Sequence, residues 1–250
     1  MNVATYEFPL SEKVRNYLRL EHLFHQLDAS LPADSNFKEI QFFHVFFNIT
    51  DMIERLDLRA DFIRDLDQQE KNLQHWSEHP NVDTDALSTA LDSITELSRK
   101  IKMTSKFVAK FKEDKFLSTV RQRFVTACGA TSFDLPSFYC WIEQPAKYKD
   151  KDRHIWLSQL KVVRDTIYLL LSFLREGGRY EHIESETGYF QGSTSERSEL
   201  VRVRCDISSG IYPVLSGNTY RYGIKFMRLV PEQDGAMSIT DKIEFDIARC

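Results

Sequence analysis

Cysteine is scarce in this chain of 250 residues, with Cys128, Cys140, Cys205 and Cys250 spread far apart. None stands in the close pairs of zinc ribbons or thioredoxin motifs, which argues against a cysteine-framed metal site and suits a reducing cytosol with plain buried or surface thiols. Glycine is sparse too, at 9 residues, and no glycine-rich phosphate loop follows a strand pattern. No Ser or Cys occupies a nucleophile-elbow motif. The longest apolar run, Ile167 to Leu174, is interrupted and too short to cross a bilayer, and Met1 to Leu10 carries Glu7 without a basic leader. These absences lead to the expectation of a cytoplasmic, unsecreted protein that has no membrane partner, no cofactor, no metal and no catalytic residues.

What is present is core material and one polarised stretch. With 42% hydrophobic residues and 18 Phe, the chain can bury a sizeable core, and disorder is excluded as a general description. Arg99, Lys100, Lys102, Lys106, Lys110, Lys112, Lys115, Arg121 and Arg123 face only Glu113 and Asp114, a local net of +7 in a chain of net charge −4, so the remainder carries −11. Such polarity recruits acidic partners to one face while the whole stays soluble. The chain reads first as a binder.

From Ser11 to about Glu176 the apolar period is helical. Ser11 can cap a helix carrying Val14, Tyr17, Leu18, Phe24 and Leu27. Phe37, Ile40, Phe42, Phe43, Phe46 and Phe47 surround a second, which marks it as central. Asp57 caps a third (Phe62, Ile63, Leu66, Leu73, Trp76) that stops at Pro80, and Asp83 opens a fourth through Ile101. Asp134 and Pro136 start a short helix bearing Trp141, and a last one runs from Asp152 to Glu176, closed by Gly177 and Gly178 as left-handed caps. Beyond them the period becomes two: Leu200 to Ile207, Tyr220 to Leu229 and Ile243 to Ile247 alternate apolar with polar residues, as strands of a one-sided antiparallel sheet. Glu184 to Glu199 reads as a loop or loose hairpin. The fold class is therefore α+β: a mainly α-helical bundle domain over residues 1–178, whose residues 5–8 can join the sheet, and a small antiparallel β domain over 179–250.

Metal binding fails on ligand count. His75 with His79, and His22 with His25, have helical spacing but no nearby Cys or carboxylate set like a known site, and His79 directly precedes Pro80. The basic stretch offers more. If Lys112 to Phe124 is one helix, Lys112, Lys115 and Arg123 fall within about 80 degrees of arc beside Phe116 and Val120, a stripe able to hold a peptide both acidic and apolar. Arg121 points the other way, toward a carboxylate of the fold. On the sheet, Arg221 and Lys225 share a face with Gly223 between them leaving room for a close approach, and Arg202 and Arg204 share another. Each feature also admits the plainer account of a solvated face. Nucleic acid is the alternative partner, opposed by the acidic total and the lack of a recognition signature.

Particular residues go further. Phe8 to Leu23 (FPLSEKVRNYLRLEHL), Glu113 to Arg123, Thr131 to Pro136 (TSFDLP), Gly188 to Gln191, and Ser216-Gly217 leading to Arg221 and Phe226-Met227 together resemble the bacterial division protein family ZapD, in order and spacing along nearly the whole chain. The resemblance implies a non-enzymatic, cytosolic protein of the mid-cell Z-ring. It implies a homodimer that binds the C-terminal tail of the tubulin-like GTPase FtsZ and bundles its filaments. It also implies a tail-binding surface of basic residues from the helical and β parts, with Arg19, Lys115, Arg221 and Lys225 at the matching positions. At 115 and 225 this chain has Lys where a relative carries Arg, so charge is kept but bidentate pairing is not. Lys112, Arg121 and Arg123 join them from the charge pattern alone.

Overall fold

The computed structural model describes residues 2–77, 83–104, 106–126, 129–193, 198–208, 210–229 and 237–250. His79, Pro80 and Cys128 lie outside them. In chain order the elements are β1 (Val3–Pro9), α1 (Glu12–Ala29), α2 (Asn36–Arg55), α3 (Leu58–Trp76), α4 (Thr84–Met103), α5 (Ala109–Glu113), α6 (Lys115–Phe124), α7 (Pro136–Ile142) and α8 (Ala146–Gly177). The strands β2 (Tyr180–Ser185), β3 (Tyr189–Ser193), β4 (Leu200–Asp206), β5 (Ile211–Gly217), β6 (Arg221–Arg228), β7 (Met237–Ser238) and β8 (Ile243–Arg249) follow. The fold is α+β. Two compact units divide it, residues 19–170 and residues 1–18 with 171–250, their boundaries falling inside α1 and α8.

The helical unit is built on α2. Ser35 caps it by accepting from the Lys38 amide, and Phe42, Phe43, Phe46, Ile49 and Ile53 are buried along it. Phe43 meets Phe138 of α7 at 5.0 Å between ring centroids, Trp141 at 5.3 Å and Trp156 of α8 at 5.6 Å, all in edge-on geometry. Edge-to-face packing adds to area burial, so the rings lock these helices at defined angles. One turn earlier, Glu39 has no exposure at all. Arg153 of α8 donates to both its oxygens, at 2.7 and 2.6 Å, and Lys149 reaches it at 3.0 Å. A buried charge is tolerable only when paired and hydrogen-bonded in this way.

Several helix boundaries differ from the sequence expectation. Phe37 is 74% exposed, because the buried side of α2 starts at Glu39. Asp57 stands at the start of α3 without a capping hydrogen bond from its side chain. The stretch Lys112 to Phe124 is not one helix: Asp114 is extended (φ −75, ψ 108) and its carboxylate accepts from the Leu117 amide at 3.0 Å, so the capping preference of Asp ends α5 and starts α6. Leu135, not Asp134, precedes α7, since Asp134 is engaged by the Thr131 hydroxyl at 2.6 Å. The last helix begins six residues earlier than expected, at Ala146. Neither Gly177 nor Gly178 has positive φ. Gly178 is needed for a different reason, as a Cβ there would lie 2.3 Å from the Cys250 sulfur.

The second unit contains two antiparallel sheets, where the sequence suggested a single one-sided sheet. One has the order β1-β4-β8-β2; the other has β3-β6-β5, with β7 also on β6. The segment expected as a loop or loose hairpin supplies β3, which pairs with β6, and the N-terminal residues form the edge strand β1 on β4 in register from Val3↔Asp206 to Pro9↔Leu200. Inward residues of both sheets form one core, with Phe226 against Phe245 at 4.8 Å. Period-two burial therefore reports two faces packed on each other. Gly192 lies opposite Tyr222, whose buried ring fills the place of its missing side chain: a Cβ would be 2.3 Å from the ring.

Two substitutions test this packing. Glu39→Leu should destabilise the chain by about 3–5 kcal/mol, since buried Lys149 loses its carboxylate partner and buried Arg153 keeps only Asp150. Gly192→Ala should cost about 1–3 kcal/mol by overpacking the Tyr222 ring. Urea denaturation of each variant beside the parent chain measures both, and an unchanged midpoint would contradict the corresponding contact.

Candidate partner-binding surfaces

The basic stretch is partly neutralised by carboxylates outside it. Lys100 pairs with Glu96 at 2.6 Å and Lys102 with Asp67 at 3.8 Å. Lys112 on α5 and Arg121 on α6 converge on Glu54 of α2: Lys112 at 3.5 Å, and Arg121 through two nitrogens at 3.2 and 3.3 Å, with Asp51 as a further partner of Arg121. The expected inward pairing of Arg121 is what the structure contains. The cluster lines a cleft with Phe46, Phe47, Phe111 and Leu117. Burial pushes the Glu54 carboxyl up, but hydrogen bonds from Arg121 and Lys112 outweigh it and hold the group below the usual carboxylate range. Hydrogen bonding to Glu54, and the nearby charge of Asp51, raise Arg121.

Lys115 and Arg123 have another environment. The apolar side of α6 is held by buried Leu117 and Val120, which turns Lys115 and Arg123 outward as exposed residues. Among the described residues neither forms an ion pair, and the same holds for Lys106 and Lys110. Because the chain breaks at Asp114, Lys112 belongs to a different helix from Lys115 and Arg123 and does not continue their stripe. Arg19 is exposed on α1.

On the sheet, β6 alternates as its sequence requires: Tyr222, Ile224 and Phe226 are buried while Arg221 and Lys225 are exposed on the opposite face. Register places Tyr189, Gln191 and Ser193 of β3, and Val214 and Ser216 of β5, on that same outer face. These positions contain two cations and no carboxylate. The room expected over Gly223 is filled, because the Tyr189 hydroxyl lies 2.7 Å from where a Cβ would stand. Arg202 and Arg204 serve the fold: Arg202 pairs with Glu7 at 3.0 Å, and Arg204 lies 3.7 Å over the Tyr180 ring.

No helix among the described residues is long and apolar enough to cross a membrane. No group of three His, Cys, Asp or Glu among them is placed to hold a metal ion. His22 contacts Gln26 at 2.9 Å, and His25 lies against the Tyr168 ring.

Fold and surface define an α+β protein that presents, on α6 and β6, cations with no ion pair among the described residues. Known proteins give the family: residues 18–225 match ZapD, described as a cell division protein. The "Cell division protein ZapD" of Idiomarina loihiensis is 36% identical over 98% of this chain and 95% of its own length. The proteins of that name from Photobacterium profundum and Vibrio parahaemolyticus are 34% and 31% identical, with both chains covered completely. The chain belongs to the ZapD family of cell division proteins.

The Glu54 tether escaped the sequence pattern, although Asp51 and Glu54, three residues apart on an otherwise Phe-rich helix, are its visible trace. Its pH dependence has a definite sign. A depressed carboxyl pKa adds stability above the ordinary carboxylate range, and that contribution is lost as pH falls through the lowered value. Glu54→Gln should therefore lower stability at pH 7 by roughly 1 kcal/mol or less, as for a partly exposed ion pair, and the deficit should be smaller at pH 3 than at pH 7. Denaturant titrations at both pH values check this; an equal deficit at both would deny the charge a role.

Proposed function

We propose that this chain is a non-enzymatic adaptor of the division site that binds the C-terminal tail of FtsZ and, as a homodimer, crosslinks FtsZ filaments into bundles. Membership of the ZapD family supports the division role. The observation that carries tail binding is the pair Arg221 and Lys225, exposed on one sheet face whose neighbouring positions hold no carboxylate. Two unscreened cations attract an acidic segment and steer its approach. Lys115 and Arg123 on α6, with Arg19 on α1, supply further charge. Lys112 and Arg121 contribute less, since an acidic tail must compete with Glu54 for them.

Bundling then follows from valence. A twofold dimer offers two equal sites, and once one tail is held, a tail on a neighbouring filament is captured at high effective concentration. Weak single contacts suffice. Lysine at 115 and 225 keeps the attraction without a fixed fork geometry, which favours a mobile contact over a rigid one.

Sedimentation of FtsZ filaments, with and without their tail, tests the proposal. Co-sedimentation should require the tail and weaken from low to moderate salt, and Arg221→Glu with Lys225→Glu should abolish bundling while the variant remains a folded dimer. Bundling that survives the double reversal would remove the sheet face from the site. Failure to co-sediment at either salt, together with duplex DNA binding of steep salt dependence, would replace FtsZ by nucleic acid as the partner.

A further inference from the structure

Tyr189 stands on the same outer face as Arg221 and Lys225. Across β3, β6 and β5 one row is Tyr189, Lys225 and Val214, and the next is Gln191, Gly223 and Ser216. The Tyr189 ring leans diagonally from its own row onto Gly223, where a Cβ would meet its hydroxyl at 2.7 Å and its Cε2 at 3.2 Å. Gly223 is thus a floor for the ring. The ring is nevertheless only partly covered: Tyr189 is 50% exposed and Val214 47% exposed, on either side of Lys225. An open aromatic ring and a valine beside two cations that form no ion pair among the described residues make a surface with both apolar and anionic complementarity.

Spacing narrows the occupant. Arg221 and Lys225 are separated by four residues of β6, roughly 13 Å along a strand, with Gly223 and the overlying ring midway. An extended peptide repeats that distance between its residues i and i+4 and directs residue i+2 to the same side. We propose that Tyr189 is a specificity-determining residue of this face, its ring seated on Gly223 to receive a large apolar side chain of an acidic peptide whose flanking carboxylates pair with Arg221 and Lys225. The inference rests on the sheet face being the tail-binding site, and it adds that charge alone does not select the peptide.

Fluorescence anisotropy with two labelled peptides tests it: the FtsZ C-terminal tail, and the same peptide with every large apolar residue replaced by Ser. The parent chain should prefer the native tail by about five- to tenfold, the scale of one aromatic contact. Tyr189→Ala should lose this preference while keeping its salt dependence, and Tyr189→Phe should retain it. Gly223→Ala, whose Cβ displaces the hydroxyl end of the ring, should also reduce the preference, which covers the case of an unstable Tyr189→Ala. If Tyr189→Ala and Gly223→Ala still discriminate like the parent while reversal of Arg221 and Lys225 abolishes binding, Tyr189 only covers Gly223 and the electrostatic site stands alone. If the parent binds neither peptide, the site and the inference fall together.

Discussion

A carboxylate without access to water organises the helical unit. Glu39 sits in the first turn of α2, where the helix dipole favours an anion, and its burial there is tolerable only if cations meet it. Arg153 and Lys149 do so from the opening turns of α8, and Lys149 also donates to the Ile142 carbonyl at the end of α7. Once α8 is held at that point, Trp156 comes against Phe43, Phe46 and Phe116, and the short α6 and α7 close around the rings. Uncompensated charge is the more expensive failure, so the ionic contact sets where the aromatic packing can form.

The same economy of charge sorts the basic residues into two populations. Arg121, Lys112, Arg202 and Arg249 each have a carboxylate partner within the fold and help hold one element to another. Lys115, Arg123, Arg221 and Lys225 stand outward without one among the described residues. Charge density along the sequence does not separate these groups, since Arg121 and Arg123 are two residues apart and fall on opposite sides of the distinction. A cation already hydrogen-bonded to a carboxylate offers little field to a partner, whereas an exposed unpaired one offers most of its own.

The sheets show how a glycine can be read in two ways. Gly192 and Gly223 both face an aromatic ring, Tyr222 in the core and Tyr189 on the outer face. In the core the ring is enclosed and its hydroxyl accepts from Arg249 at 2.7 Å. On the outer face the ring remains half open, and a missing side chain becomes a support for an exposed aromatic surface between two cations. The same residue type therefore seats an enclosed ring in one place and a half-open ring in the other.

Much of this was legible in the sequence because it is local. The 3.6-residue period of the Phe-rich helix, the alternation of Tyr222, Ile224 and Phe226 with Arg221 and Lys225, and the Asp cap at 83 follow from interactions within a few residues, so the α+β class and the outward direction of the sheet cations could be read directly. What only the tertiary structure decided is pairing across distance. Glu54 lies 67 residues from Arg121, β1 finds β4 at the far end of the chain, and the strands divide between two sheets rather than one. Periodicity specifies which side of an element is apolar but carries no information about which distant element covers it, and an ion pair depends on that partner.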